Sequence, residues 1–308
     1  MIRQTSPTFQ SCLLFLNLGA NQYDDSRMTV RNEAESRLRL VTSRQNALVK
    51  DLRKAFSQGE PTAEGYIAVE GLRIVEEAIR SSLRFQTVFF SESGRAHASR
   101  LLPQIASHTE ILLLPDEIFS SAVSTETPQG VAALVKLKSA TLEDLLEQGT
   151  DDLLLVGVAG IQDPGNLGTI IRSAEAFGAR AVLLGEKSVS HFNPKAVRAS
   201  AGSLFREPLV RVKMGEAIAF LKQRGVRTVA ASSHKGKPLH EASFTGAAMV
   251  IVGNEGAGVP AEILALADEL VTIPHSAKVE SLNAGIAASI LLYEAARQRK
   301  IGGSGDRA

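Results

Sequence analysis

The sequence predicts an α/β protein of two domains, on three observations. The chain has 308 residues, enough for two separate cores, and its 44% apolar and 22% charged residues are ordinary for a soluble protein. Segments with strand-like and helix-like patterns alternate along it, which is typical of the α/β class. Residues 153–158 form one continuous apolar run, which indicates a parallel strand covered on both faces of its sheet.

The first domain is predicted at residues 41–138. Its first helix is expected at 43–56, because the apolar residues there recur at helical spacing. Another helix ends near Arg80. Residues 139–152 are polar and acidic, and we interpret them as a linker to the second domain. Strands are predicted at 66–69, 86–90, 110–114 and 130–137.

The second domain is predicted at residues 153–299 and is built on a parallel sheet. A helix at 167–177 is bounded by a preceding aspartate–proline pair and by Gly178. The last helix is expected at 281–297. Its predicted apolar stripe comprises Leu282, Ile286, Ile290 and Tyr293. Strands are predicted at 153–158, 181–184, 209–212, 228–231, 249–252 and 270–273.

Two terminal segments are expected to lie outside the folded domains. Residues 1–40 contain a short apolar run after Cys12 that resembles the core of a signal peptide, but only Arg3 precedes it. A misassigned start codon near Met28, or a disordered extension, explains these residues better. Residues 300–308 are expected to be a disordered tail. Cys12 is the single cysteine, which favours a reducing compartment and hence a cytoplasmic protein.

Charge and histidine spacing limit the partners. The net charge is only +1, but residues 26–56 carry eight basic side chains against three acidic ones. This excess predicts a patch that faces phosphate groups. A helix with a solvated charged face explains the same composition. The six histidines show no metal-ligand spacing, so we expect no metal.

Three short segments predict a ligand site. They are residues 165–168 with Arg172, residues 253–258, and residues 279–284, and each lies where a predicted strand passes into a loop and a helix. In an open α/β sheet, ligands bind at those ends of the strands. The sequence contains neither a glycine-rich dinucleotide fingerprint nor a phosphate-binding loop with its lysine, which disfavours NAD and ATP. The segments therefore predict a pocket for another nucleotide-like cofactor.

The side chains in these segments have structural as well as chemical explanations. On the helix at 167–177, Arg172 lies nearly opposite the apolar face and points away from its own core, as a solvated arginine also would. Glycines in 253–258 allow a sharp turn and the close approach of an adenosine, whereas a carboxylate at Glu255 serves no packing need. Ser281 is also explained by capping the last helix.

In order and spacing, the three segments resemble the motif set of the SpoU/TrmH family, the RNA ribose 2'-O-methyltransferases of the SPOUT superfamily. The resemblance covers residues 41–299. It implies S-adenosylmethionine as cofactor, a catalytic domain knotted as a trefoil, a homodimer whose pocket includes residues of both subunits, and no metal. It also implies that residues 41–138 are a ribosomal-protein-like α/β domain that binds RNA.

The resemblance implies roles for individual residues. Glu255 is expected to orient Asn166 or Arg172, and Arg172 is expected to bind an RNA phosphate and to stabilise charge on the 2'-oxygen. His275 and Ala277 stand where the family has Met and Gly, and we interpret His275, a loop histidine without a visible partner, as incidental. The catalytic set is Asn166, Arg172, Glu255, Ser281 and Asn283. The cofactor set is Gly253, Ile273 and Leu282, which act through their backbone, with Val252, Ala231 and Gly258.

The same resemblance indicates which residues contact RNA. The RNA-binding set is Arg44, Asn46, Lys50, Arg73, Lys195 and Arg198, and Arg206 is a further candidate for a phosphate contact. The form of the N-terminal domain favours ribosomal RNA as the substrate, with transfer RNA as the alternative. Two other hypotheses stay open. One is a non-catalytic RNA-binding or ribosome-assembly protein with the same fold, and the other is a different α/β nucleotide-binding enzyme.

Overall fold

The computed structural model describes residues 36–147, 149–276 and 278–300. Most of the extension expected at residues 1–40, and the expected tail beyond residue 300, lie outside these residues. Within the described part of the chain, twelve strands and ten α-helices form two sheets with helices packed against them. None of these helices is long and apolar enough to cross a membrane.

All strands predicted from the sequence are present, with their ends shifted by at most two residues. The strands are β1 (Arg39–Leu40), β2 (Ile67–Glu70), β3 (Arg84–Ser91), β4 (Glu110–Leu114), β5 (Val131–Lys136), β6 (Leu154–Ala159), β7 (Ala181–Leu184), β8 (Leu209–Arg211), β9 (Arg227–Ala231), β10 (Lys237–Pro238), β11 (Ala248–Gly253) and β12 (Glu269–Thr272). The helices are α1 (Ala47–Gln58), α2 (Leu72–Arg80), α3 (Ala98–Leu101), α4 (Asp116–Ala122), α5 (Leu142–Glu147), α6 (Pro164–Ala176), α7 (Pro194–Ala199), α8 (Met214–Lys222), α9 (Ala261–Leu266) and α10 (Ala284–Gln298).

The first sheet is mixed, with the strand order β1-β4-β3-β5-β2. Strand β3 pairs in parallel with β4 and antiparallel with β5, and β2 pairs antiparallel with β5. The boundary of the expected extension at residue 40 is wrong, because Arg39–Leu40 form edge strand β1 and pair with Leu112 and Leu113. Two residues are too few to show an alternating pattern, so this strand leaves no signal in the sequence.

The second sheet is entirely parallel, with the order β10-β12-β9-β11-β6-β7-β8. Strands β6 and β11 lie near its centre and pair from Leu154 with Ala248 to Ala159 with Gly253. All six residues of β6 are buried, because helices cover both faces of the sheet, as its apolar run predicted. The carboxyl ends of β12, β9 and β11 therefore lie side by side.

Residues 139–152, interpreted from their composition as a linker, include a short helix. They contain helix α5, whose first turn is closed by reciprocal backbone-to-side-chain hydrogen bonds between Thr141 and Asp144. Leu145 of this helix is buried in the core of the second domain, in one cluster with Leu153. A six-residue helix that buries a single leucine is hidden in the sequence by its exposed acidic residues.

Helix α6 carries Asn166 and Arg172, and its position depends on a glycine. A methyl group at Gly168 would lie 2.7 Å from the carbonyl oxygen of Ala196 and would overlap Ala199. Only glycine therefore lets α7 approach α6 this closely. The contact holds the N-terminal turn of α6 in place, and Asn166 lies in that turn.

On another side, α6 packs against α10 in a contact that repeats every four residues on both helices. The pairs are Thr169 with Gly285, Ser173 with Ser289 and Phe177 with Tyr293. The two serine hydroxyls are 2.7 Å apart, and the two aromatic rings meet edge to face with centroids 5.9 Å apart. Because the residue numbers rise together along both helices, α6 and α10 run parallel to each other.

The apolar stripe predicted for the last helix is not its buried face. Ile286 and Tyr293 are 53% and 56% exposed. The buried face instead combines small residues such as Ala288, which allow close packing, with Leu291 and Leu292, so Ile286 and Tyr293 lie on the opposite side of the helix. The helix is capped by Asn283, whose side chain accepts a hydrogen bond from the N–H of Ile286, so Ser281 is not the cap.

Two arginines considered for RNA binding lie across the boundary between the domains. Arg206 contacts Glu77 of α2 at 2.9 Å and also pairs with Glu175 of α6. The hydrogen bond from Arg206 is the main cause that lowers the pKa of Glu175. Arg198 donates to the hydroxyl of Ser124 in the first domain at 3.1 Å. Both side chains therefore help to join the two domains.

Two titratable side chains are buried at the same boundary, and each is only 7% exposed. They are Glu207 and His191. Burial, aided by the Glu175 carboxylate, raises the pKa of Glu207 to about 8. Burial, aided by the charge of Arg211, lowers the pKa of His191 to about 4.

We predict that the free energy of unfolding falls between pH 6.5 and 8, and that Glu207→Gln removes much of this fall. In that range the unfolded chain has released the proton of Glu207, whereas the folded protein still holds it, so each pH unit costs about 1.4 kcal/mol. His191 is neutral in the folded protein and only partly protonated in the unfolded chain in this range, so it adds a small change of opposite sign that is the same in wild type and variant. Denaturant titrations give the free energy of unfolding at pH 6.5 and at pH 8. Its fall between these two pH values should be about 2 kcal/mol larger in the wild type than in the variant. An equal change in both proteins would contradict the assignment.

Candidate active site

A cavity of about 300 Å³ lies at the carboxyl ends of β9, β11 and β12. It is enclosed by the segments that follow these three strands. Every residue of the predicted cofactor set lines it: Ala231, Val252, Gly253, Gly258, Ile273 and Leu282. Glu255 and Ser281 of the predicted catalytic set line it as well. The site therefore lies where parallel α/β sheets bind ligands.

The loop after β11 is closed by Asn254, a residue whose role the sequence analysis missed. Its backbone exchanges two hydrogen bonds with Gly258, both of 2.9 Å, and its side chain accepts from the N–H groups of Gly256 and Ala257. The side-chain amide also donates to the carbonyl of Gly160, beyond the end of β6, at 3.1 Å. This pattern is an Asx turn, for which an asparagine between glycines, two residues before Gly256, was an available signal.

Glycine is required where this loop begins. A methyl group at Gly253 would overlap the backbone of Gly258 and Val259. Gly258 has φ of +68°, in the left-handed region that favours glycine. By contrast, a methyl group at Gly256 would meet nothing closer than the side chain of Asn254 at 3.7 Å. The fold of the loop therefore depends on two of its three glycines.

Of the two partners expected for Glu255, the structure pairs it with Asn166. The side-chain amide of Asn166 donates to Glu255 Oε1 at 2.7 Å, and Asn166 is 9% exposed. The backbone of Asn166 is held by Asp163, which caps α6 and accepts its N–H at 2.9 Å. A hydrogen bond from Lys195, followed by this backbone bond, lowers the pKa of Asp163. Lys195, predicted to contact RNA, thus already has a partner in Asp163 at 2.8 Å.

The remaining catalytic candidates do not line the cavity. Arg172 is exposed on α6, as its helical position predicted, and it has no hydrogen-bond or ion-pair partner among the described residues. Asn283 caps α10 with its side chain. A single subunit therefore brings Asn166, Glu255 and Ser281 to the site and leaves Arg172 facing solvent.

Two further parts of the cavity wall were missed or misjudged. His275 was interpreted as incidental, yet it lines the cavity, and its Nδ1 donates to the carbonyl of Ile273 at 2.7 Å. Residues 232–235 also line the cavity. They follow the end of β9 directly, so the rule that indicated the other segments applies to them too. Ala277, the other departure from the family motif, lies outside the described residues.

Four of the six basic side chains that the structure describes in the patch predicted near the start of the chain bond to other residues of the protein. Arg44 pairs with Glu117, and Asn46 caps α1. Arg37, Arg39 and Arg53 bond to other residues of the same domain. Lys50 and Arg73 are exposed and have no polar side-chain partner among the described residues. Within the predicted RNA-binding set of the first domain, only Lys50 and Arg73 are therefore available to bind phosphate groups among the described residues.

The fold and the site define a class of α/β enzyme that holds a nucleotide-like cofactor in loops at the carboxyl ends of parallel strands. No group of three or more side chains within the described residues is arranged to bind a metal ion. The model of the SpoU rRNA Methylase family matches residues 153–293, and that of the MRM3-like substrate binding domain matches residues 46–133.

Two named relatives match over nearly their whole length. The chain is 34% identical over 256 residues to the 23S rRNA (guanosine(2553)-2'-O)-methyltransferase RlmP of Bacillus subtilis, which spans 83% of this chain and 98% of the relative. It is 30% identical over 276 residues to the 23S rRNA (uridine(2479)-2'-O)-methyltransferase of Streptomyces viridochromogenes. That match covers 87% of this chain and 96% of the relative. The chain belongs to the SpoU rRNA methylase family.

Solved structures agree with this assignment. The AdoMet-bound rRNA methyltransferase from Sinorhizobium meliloti superposes with a TM-score of 0.75 at 28% identity, over 85% of this chain and 98% of that one. The SpoU methyltransferase AviRb from Streptomyces viridochromogenes, in complex with AdoMet, superposes with a TM-score of 0.71 at 29% identity, over 83% and 100%. S-adenosylmethionine is the cofactor expected from the sequence, and these relatives support it.

We predict that Gly253→Ala weakens S-adenosylmethionine binding about ten- to hundredfold, because the added methyl group displaces the loop that closes the cavity. The matched control is Gly256→Ala in the same loop, where a methyl group finds room, and it should bind within about twofold of the wild type. Titration calorimetry measures both affinities, and circular dichroism verifies folding. Equal loss in both variants, or no loss in either, would contradict this account of the loop.

Proposed function

We propose that this protein transfers a methyl group from S-adenosylmethionine to a ribose 2'-hydroxyl of ribosomal RNA. The observation that carries the proposal is the Asn166–Glu255 hydrogen bond at the cavity lined by the cofactor set. It joins the segment at residues 165–168 to the segment at residues 253–258, and the two bonded residues are 89 positions apart in the chain. The two relatives named as 23S rRNA 2'-O-methyltransferases support the reaction and the class of RNA.

The cavity suits this cofactor. Apolar side chains, including Val252, Leu264 and Leu282, provide walls for an adenine ring, and the main chain of the three loops provides hydrogen-bonding edges. At Gly258 nothing lies within 4 Å of the position of a methyl group, so the main chain there is open to a ligand. When bound, S-adenosylmethionine supplies a methyl group that its sulfonium centre has already activated.

The residues of the chain then orient the ribose and stabilise charge. Glu255 accepts a hydrogen bond from the side-chain NH₂ group of Asn166. This bond fixes the orientation of the amide and therefore the direction of its oxygen. Arg172 binds an RNA phosphate and stabilises the negative charge that develops on the 2'-oxygen, because a guanidinium remains protonated. The phosphate or a water molecule accepts the proton of the hydroxyl.

We propose further that the enzyme is a homodimer, joined through the exposed faces of α6 and α10. Arg172 has no partner among the described residues of its own chain, and the neighbouring helix exposes Ile286 and Tyr293 on its outer face. A two-fold contact here would cover these apolar side chains and bring Arg172 of one subunit to the site of the other.

The finer features of the fold belong to the same proposal. We propose that the catalytic domain at residues 153–299 is a trefoil knot and that residues 41–138 are a ribosomal-protein-like RNA-binding domain. The end of α10 supports the first part, because Gln298 bonds to the backbone of Ala242 and Phe244 just before β11. A ribosomal RNA substrate and a single cysteine are the reasons for proposing a cytoplasmic location.

The proposed reaction is tested by incubating the purified protein with labelled S-adenosylmethionine and 23S ribosomal RNA. A 2'-O-methyl group blocks cleavage of the adjacent phosphodiester by alkali, because that cleavage needs the free hydroxyl. The expected product is an alkali-resistant dinucleotide that carries the label. Label found only on bases, or no label on this RNA when transfer RNA assayed in the same way is labelled, would contradict the proposal. Arg172→Lys should bind the cofactor normally but lose about 10²- to 10³-fold in turnover.

The shared site predicts complementation between two inactive variants. Arg172→Ala and Glu255→Ala should each be inactive alone. When both chains are co-expressed in equal amounts, about half of the dimers are mixed, and one of their two sites is intact. Methyl transfer should therefore recover to roughly a quarter of the wild-type rate. No recovery in dimers shown to be mixed would mean that Arg172 acts within its own chain.

A further inference from the structure

A second cavity lies between the two domains, away from the cofactor site. Its volume is about 620 Å³, within the range of roughly 300 to 1,000 Å³ common for small-ligand sites. We call it the interdomain cavity. Its lining includes Lys136, Lys138, His191, Phe192, Glu207 and Arg211. It includes no residue that lines the cofactor cavity.

Two polar side chains in this cavity are buried without partners. Glu207 Oε1 and His191 Nδ1 have no hydrogen-bond partner among the described residues, and both side chains belong to residues only 7% exposed. A buried polar atom left unpaired costs about 1–3 kcal/mol. Because each of these atoms has less than 1 Å² of exposed surface, a ligand in the cavity supplies the missing hydrogen bonds once the two side chains rotate toward it.

The two buried titratable groups in the cavity are uncharged near neutral pH, whereas its exposed rim carries three cations against one carboxylate, that of Glu143. Burial raises the pKa of Glu207 to about 8 and lowers that of His191 to about 4, so both are neutral at pH 7. Lys136, Lys138 and Arg211 are exposed cations of the lining. Neither Lys138 nor Arg211 has an ion-pair partner among the described residues.

This arrangement favours a ligand with a neutral, flat, hydrogen-bonding part and an anionic part. Phe192 offers an aromatic surface, and Leu204 and Leu209 add apolar walls. A protonated carboxyl both donates and accepts, as the edge of a nucleobase requires. A bare phosphate satisfies the cations but leaves Glu207 and His191 unpaired. A nucleotide satisfies both sets.

We propose that the interdomain cavity binds an unpaired nucleotide of the RNA substrate, with its base against Glu207 and His191 and its phosphate at Arg211 and Lys138. This inference rests on the proposed function for the identity of the RNA. Strand β8, beside the cavity, lies five strands from β12, the far edge of the cofactor site, which is roughly 24 Å along the sheet. A folded ribosomal RNA extends further than this, so one substrate reaches both.

The test compares RNA affinity and cofactor affinity in matched variants. Glu207→Leu removes the hydrogen-bonding edge and should weaken binding of a 23S ribosomal RNA fragment about tenfold, whereas Glu207→Gln keeps an amide edge and should bind within about twofold of the wild type. Arg211→Ala should also weaken RNA binding several-fold and reduce its salt dependence. Lys213→Ala removes the same charge two residues away, outside the cavity, and should have less effect. Affinity for S-adenosylmethionine should not change in any variant.

Photocrosslinking identifies the contact directly and does not depend on the folding of a variant. RNA containing 4-thiouridine should crosslink to a peptide that includes residues 191 and 192. Wild-type RNA affinity in both Glu207→Leu and Arg211→Ala, together with crosslinks only elsewhere, would overturn the proposal. Free mononucleotides are titrated in parallel, and tight binding of one that does not compete with RNA would show that the site takes a free nucleotide instead.

These outcomes are distinct from failure of the proposed function. If the wild type methylates ribosomal RNA and the cavity variants match it in RNA affinity and in the Michaelis constant for RNA, only the cavity inference is wrong. If the wild type transfers no methyl group to RNA but crosslinks to it through residues 191 and 192, the cavity inference is supported and the catalytic proposal is wrong.

Discussion

The close approach of the main chain to itself after β11 is the constraint on which the site depends. Only glycine fits at Gly253, because any side chain would meet the backbone of Gly258 and Val259. Asn254 then closes the loop and ties it to Gly160 beyond β6. This geometry directs Glu255 toward Asn166, so the same turn that bounds the cofactor cavity also sets the polar pair beside it.

The other half of that pair is positioned by helix packing. Asn166 occupies the first turn of α6, and α6 is held by glycines at two contacts, Gly168 against α7 and Gly285 of α10 against Thr169. The inner face of α10 is already occupied by Ala288, Leu291, Leu292 and their buried neighbours, so Ile286 and Tyr293 lie outside. Close packing inside one subunit thus creates the apolar surface that we propose joins two of them.

Much of the catalytic domain was predictable because its signals are local. A buried parallel strand reads as an apolar run, and a glycine-rich turn after such a strand marks a ligand site, so residues 153–158 and 253–258 were identified from sequence. Features that depend on tertiary partners were not. Arg206 and Arg44 resemble RNA contacts in sequence, yet carboxylates distant in the chain hold them. The helix at Leu142–Glu147 and the outward face of α10 depend in the same way on what packs against them.

We propose that the three loops after β9, β11 and β12 hold the cofactor beside the Asn166–Glu255 pair, with its methyl group toward that pair. A crystal structure of the protein with S-adenosylmethionine tests it most directly. The account predicts the adenosine between the main chain of Gly253, Ile273 and Leu282, with the sulfonium methyl facing Asn166. Cofactor bound elsewhere, or bound here with its methyl group directed away from that pair, would contradict it.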